Sequence, residues 1–180
     1  GVRAHVDDRN PERAFRALGR PPESVADVWL VHSADVVIAD APHDLTVDAA
    51  KADAILTDNP AVTLFLRFAD CVPILLYDAR RRAIGLVHAG WRGTAAGAAA
   101  AGLAALTREF GTQPTDVVVA IGPSIGACCY EVGSDVVDAF AAAGHERSLI
   151  DRWFATDPAV RGQFTGTING PLRLDVAGSN

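Results

Sequence analysis

Apolar residues along this chain fall into short unbroken runs separated by polar or glycine-containing stretches. Strands covered on both faces, alternating with helices, give that pattern. VADVWLVHSADVVIAD (25–40) predicts one or two strands, and AVTLFLRF (61–68), VPILLYD (72–78), AIGLVHA (83–89) and DVVVAIG (116–122) predict core strands. The Ala-rich stretch 94–110 predicts a helix stopped by Gly111, since alanine favours helix and glycine favours the residue just past its end. SDVVDAFAAAG (134–144) predicts another, with a Ser start, apolar residues at helical spacing and a Gly stop. From about 145 to 171, Gly, Pro and Thr scatter among polar residues and predict a long excursion or flap. No internal repeat interrupts this order, so the expectation is α/β: residues 1–180 as a single domain with mixed β-sheets and flanking helices.

Composition narrows the function classes. The 180 residues are 49% hydrophobic, enough for one sizeable core. A formal net charge of −6, with no basic block beyond Arg80-Arg81-Arg82, supplies no field to hold a phosphate backbone, so nucleic acid is not the expected partner and the arginine run reads as a solvated turn. No apolar run approaches the roughly 20 residues that span a bilayer, and the first residues lack a signal-peptide segment; a soluble cytoplasmic protein is expected. Three cysteines, Cys71, Cys128 and Cys129, make a poor disulfide framework and fit a reducing compartment. The lack of Met and the start at Gly1 suggest a chain incomplete at both ends.

The candidate chemistry lies at strand ends. Cys71 opens one predicted strand directly after Asp70, His88 closes the next, and the two are 17 residues apart around the turn DARRR. His32 closes a third apolar run, WLVHS. Two His and one Cys can supply three metal ligands and leave a position open, as catalytic zinc requires; equally, they can be a core thiol and hydrogen-bonded imidazoles. After His88, AGWRGTAAG runs from strand to helix with Gly90 and Gly93 flanking Trp91 and Arg92. Backbone N–H groups there and the Arg92 guanidinium suit an anion, or the glycines only permit the turn and Arg92 is solvated. Arg67 could point into the same mouth. His43 and His145 lie in polar loops and read as solvated, while Cys128 and Cys129 read as packed free thiols in preference to soft metal ligands.

ADCVPILLYD (69–78), GLVHAGWRGTAAG (85–97) and IGPSIGACCYEVG (121–133), in that order, strongly resemble the laccase-domain, or multicopper polyphenol oxidase-like, family. VHSADVV (31–37) is similar to that family's Gln-Val-His motif, with Leu30 in the glutamine's place. The resemblance implies a purine nucleoside phosphorylase with adenosine deaminase activity, acting on adenosine, inosine, guanosine and methylthioadenosine with inorganic phosphate. It also implies a fold resembling cysteine hydrolases and deamidase toxins. It makes His32, Cys71 and His88 the metal ligands, with zinc the expected ion and copper possible. Deamination calls for an activated water at C6 of the purine and a carboxylate to move its proton, the role open to Asp70. Phosphorolysis calls for a phosphate placed by Gly90, Arg92 and Gly93; Tyr130 and Glu131 suit the lining of a purine pocket, and Glu131 equally suits the cap of the next helix. An oxidase needs a further imidazole-rich copper cluster, and five histidines are too few. Two other classes stay open: a metal-free Cys–His hydrolase or deamidase, and a non-catalytic binding module stiffened by metal.

Overall fold

A computed structural model describes residues 9–43, 48–126, 129–156 and 172–174. Five helices and ten strands alternate along it: α1 (Arg9–Ala17), β1 (Val25–Ala26), β2 (Val36–Ile38), β3 (Ala54–Thr57), β4 (Thr63–Leu64), β5 (Val72–Asp78), β6 (Ala83–Ala89), α2 (Trp91–Ala95), α3 (Ala98–Phe110), β7 (Val117–Ile121), β8 (Glu131–Val132), α4 (Ser134–Ala142), α5 (Arg147–Trp153), β9 (Phe154–Thr156) and β10 (Leu172–Leu174). The centre is a five-stranded mixed sheet in the order β2-β3-β6-β5-β7, parallel only between β2 and β3. A three-stranded antiparallel sheet, β8-β10-β9, and the parallel pair β1-β4 complete the α/β arrangement.

The β5–β6 hairpin is the backbone of the fold. Its turn is closed by Asp78, whose carboxylate accepts the N–H groups of Arg80 and Arg81. In register, Val72 faces Ala89 and Pro73 faces His88, so the start of β5 and the end of β6 lie at one edge of the molecule. One face of the sheet packs Leu56, Ile74, Leu76 and Val87 against α3 and α4 through Ala98, Leu106, Val136 and Phe140. The other face packs Ile55 against Val28, Val62 and Leu66. Because β3 feeds both cores, all four of its residues are buried.

Several expectations need correction. Only Val25–Ala26 and Val36–Ile38 of 25–40, and only Thr63–Leu64 of 61–68, are strand. The run WLVHS bends because Val31 and Ser33 give their N–H groups to a side chain, Asp53, rather than to a neighbouring strand. The helix expected over 94–110 is two helices, α2 and α3, divided at Gly97, which takes φ 77°. Gly111 stops α3 as expected, with φ 67° and its N–H on Thr107. Strand β7 is an edge rather than a core strand: it pairs only with β5 among the described residues, and Val118, Val119 and Ile121 are 64%, 53% and 50% exposed. Helix α4 is capped by Gly133, with Ser134 already inside it. The excursion expected from 145 begins instead with α5 and β9, and residues 157–171 lie outside the described residues. Among the described residues no helix is long and apolar enough to cross a membrane.

Candidate metal centre

Three elements bring the candidate ligands together. Cys71 immediately precedes β5, His88 is the penultimate residue of β6, and His32 lies on the bend between β1 and β2. One donor atom from each lies within 4.8 Å of those of the other two, the one such group among the described residues. The His32 and His88 rings meet edge to face at a centroid distance of 5.2 Å. His88 is buried, Cys71 half-buried and His32 exposed, so the cluster opens to solvent on one side. His32 does not end a strand as expected; its φ of 62° is left-handed, a region that a residue with a side chain enters only when its surroundings hold it there.

The donor set fits a divalent ion. Tetrahedral zinc with bonds of about 2.0–2.3 Å places its ligands roughly 3.3–3.8 Å apart, a small closure from the observed spread. The fit is also visible in what is excluded: a Cβ on Gly90 would lie 2.8 Å from Cys71 Sγ and 3.1 Å from His32 Cδ2. Glycine at that position keeps the space between two candidate ligands clear. Gly93 plays a different part, letting α2 close on the backbone, since its Cβ would lie 3.2 Å from the Ser33 carbonyl and 3.4 Å from that of His88. An imidazole-rich second cluster has no basis among the other described histidines. His43 Nδ1 meets Asp27 Oδ1 at 2.6 Å, and His145 Nε2 meets the Ala95 carbonyl at 3.0 Å beside the Phe140 and Trp153 rings, so neither is the solvated residue expected.

The residue missed in the sequence is Asp53. Fully buried just before β3, it meets His88 Nδ1 through Oδ1 at 2.9 Å. Burial pushes its carboxyl up, but hydrogen bonds from Ser33, His88 and the backbone at 32 and 31 outweigh this and hold it below the usual carboxylate range. Burial pushes the His88 ring down and the Asp53 hydrogen bond only partly opposes it, so the imidazole is neutral at pH 7, the form that binds metal. Burial likewise pushes the Cys71 thiol up, with Asp70 and then Asp53 adding to it. An acid beside a short apolar run is the only signal of Asp53, and it reads equally well as a solvated strand end.

Around the cluster the remaining candidates divide. Asp70 is exposed, outside β5, and near enough to raise both the Cys71 thiol and the Tyr130 phenol. Tyr130 is half-buried; burial raises its phenol most, then Cys71 and Asp70, while Arg92 pulls the other way. Arg92 is exposed, its guanidinium 4.2 Å from the Trp91 ring centroid. Charge on Asp70 thus reaches both Cys71 and Tyr130, and charge on Arg92 reaches Tyr130. Glu131 is exposed on β8, opposite Arg173 of β10, and Arg67 lies over the Phe65 ring at 5.8 Å. Cys129 is exposed rather than packed and is in no disulfide; Cys128 lies outside the described residues. Helix α2 has only five residues, so its dipole adds little beyond its first N–H groups. A cleft of about 450 Å³ lined by Arg20, Tyr77 and Leu86 lies toward the turn end of the β5–β6 hairpin and contains none of the ligands.

Known proteins share this arrangement of chain. The sequence is 46% identical over 98 residues to "Purine nucleoside phosphorylase" of Bacteroides thetaiotaomicron, covering 54% of this chain and 36% of that one. It is 35% identical over 184 residues to "Purine nucleoside phosphorylase YlmD" of Geobacillus stearothermophilus, covering 96% of this chain and 66% of the relative. The crystal structure of YlmD from the same organism superposes with a TM-score of 0.79 at 32% identity, over 94% of this chain and 61% of that one. The chain therefore spans between about a third and two thirds of the length of these relatives. The model of the family described as multi-copper polyphenol oxidoreductase laccase matches residues 3–170, and the chain belongs to that family.

Proposed function

We propose that the chain carries the metal centre of a purine nucleoside phosphorylase that takes adenosine, inosine, guanosine and methylthioadenosine and also deaminates adenosine. The observation that carries this reading is the convergence of His32, Cys71 and His88 beside Arg92 and Tyr130, together with relatives named for that activity. Zinc fits the two imidazoles and one thiolate, with copper the second choice on the same donors. When bound, the ion supplies Lewis acidity at the open side of the cluster.

The protein's own groups do the rest. The Arg92 guanidinium, held over the Trp91 ring, and the N–H groups at Gly90 to Gly93 hold inorganic phosphate. Phosphate oxygen attacks C1′ of the ribose as the bond to the purine nitrogen breaks, and the base leaves with a proton drawn from the phosphate. Products are the free purine and ribose 1-phosphate. Tyr130 offers a ring face to the purine, with Glu131 next to it as a carboxylate for ring N–H groups. In deamination Asp70, exposed at the mouth, moves the proton between water and the departing ammonia. A thiolate ligand is best kept in a reducing compartment, consistent with the cytoplasm.

A metal-free Cys71–His88 couple would find its third member in Asp53, which favours that second reading on geometry. The thiol argues against it: a nucleophilic cysteine is held below its ordinary pKa, and Cys71 is pushed above. The deciding experiment is chromatography of inosine and of adenosine incubated with the protein, with and without phosphate. Phosphate-dependent hypoxanthine from inosine, and inosine from adenosine without phosphate, are expected. Neither product appearing from metal-loaded protein rules the reading out.

A further inference from the structure

A single carboxylate touches both halves of the ligand set. Asp53 Oδ1 meets His88 Nδ1 at 2.9 Å, while Oδ2 accepts from the Ser33 N–H at 2.6 Å, the Ser33 hydroxyl at 3.1 Å and the Val31 N–H at 3.2 Å. The residues on the second arm flank His32, whose left-handed φ is costly for any residue with a Cβ. The main chain ties the first arm again, since the His88 N–H donates to the Asp53 carbonyl at 2.7 Å. Asp53 is fully buried and its bond to His88 is buried with it, while the bonds to Ser33 and Val31 are partly buried, so water is largely kept from the first arm and only in part from the second.

From this we infer that Asp53 is the positioning residue that sets the spacing of the ligand cluster, one oxygen for each histidine. An ionised carboxylate can only accept, so His88 Nδ1 must carry the hydrogen and Nε2 is left as the lone-pair nitrogen toward Cys71 and His32. The other oxygen pins both neighbours of His32 and keeps its ring over the cluster despite the strained backbone. Asp53 is not itself a ligand: Oδ1 and Oδ2 are both committed to hydrogen bonds. Its role is therefore one that asparagine cannot fill. An amide in its place has one accepting oxygen and one donating NH2, so whichever way it turned, one arm would face donor to donor or His88 would be forced into the other tautomer.

This inference rests on the metal reading proposed above, and two measurements separate them. The first is long-range 1H–15N NMR of the metal-free protein, with the His88 signals identified from a His88→Gln spectrum; hydrogen on Nδ1 is expected, and hydrogen on Nε2 overturns the inference. The second is Zn²⁺ affinity by competition with a chelator, on wild type, Asp53→Asn and Asp78→Asn. A lost outer partner weakens metal binding about 10- to 100-fold, which is expected for Asp53→Asn. Asp78 is as fully buried but sits at the far end of the hairpin, so Asp78→Asn lowers stability and leaves zinc affinity unchanged. Ser33→Ala removes one hydroxyl from the second arm and gives a smaller loss should Asp53→Asn fail to fold. Wild-type affinity in Asp53→Asn, or in Ser33→Ala if only that variant folds, overturns the inference. Wild type that takes up no Zn²⁺ overturns the metal reading and the ligand-setting role together, while the tautomer still decides whether Asp53 orients His88.

Discussion

Gly90 and Cys71 stand so close across the β5–β6 edge that a methyl group on the glycine would come within 2.8 Å of the sulfur. The Gly90 backbone, at φ −77°, is one that alanine adopts without strain. What moves in Gly90→Ala is therefore the end of a side chain: the thiol turns away from the two imidazoles. The expected result is a Zn²⁺ affinity lower by at least about tenfold, with thermal unfolding lowered by no more than the roughly 1–3 kcal/mol of an overpacked site. Titration and calorimetry on the same preparation check this, and unchanged affinity would show that the clearance is not needed by the ligands.

The thiol itself makes a pH prediction. Burial, then Asp70, then Asp53 raise the Cys71 pKa, so in metal-free protein the thiolate is scarce at neutral pH and grows only as pH climbs past the ordinary thiol value. Alkylation by iodoacetamide, followed by mass spectrometry at Cys71, should be slow at pH 7 and still rising above pH 9. Asp70→Asn removes one source of the upward shift and should speed the reaction at pH 8. A rate already level at neutral pH contradicts the raised thiol and revives the nucleophile reading.

Arg92→Ala separates the two reactions. If the guanidinium holds phosphate, its loss removes a charged hydrogen bond of about 1.5–3 kcal/mol, or roughly ten- to a hundred-fold in inosine phosphorolysis. Adenosine deamination uses no phosphate and should fall much less. Steady-state rates of both reactions on one folded preparation give the answer; equal losses would assign Arg92 to the nucleoside or to support of the Trp91 turn.

Away from the mouth, Phe140 is fully buried and packs edge-on against Trp153 and Phe154. Phe140→Ala should cost about 3–5 kcal/mol of stability, read by denaturant unfolding. The remaining folded protein should keep its zinc affinity, since Phe140 touches no ligand. A loss of affinity matching the loss of stability would mean that the helical layer and the metal edge are one cooperative unit.

How much of this is legible in the sequence differs from element to element. Strands β5 and β6 and the stop at Gly111 are visible because branched apolar runs and a left-handed glycine act locally. Strand β3 is invisible: four residues between two acids carry no periodicity, and only burial on both faces makes it a strand. That the run at 116–122 lies at an edge depends on which strands stand beside it, which no local pattern records. The three residues of the candidate metal cluster stand out from their places at the ends of apolar runs, although His32 lies on a bend rather than at a strand end. Asp53 escapes such a reading because its partners are 20 to 35 residues away and two of them are backbone N–H groups, which have no signature in side-chain identity.

The most direct test is anomalous diffraction across the zinc edge from crystals of the protein purified without chelator and supplied with Zn²⁺. One strong peak is expected, bonded at about 2.0–2.3 Å to a ring nitrogen of His32, Sγ of Cys71 and Nε2 of His88, with the His88 Nδ1–H still on Asp53. A peak bonded elsewhere, or none at this cluster with zinc in excess, would contradict the metal reading.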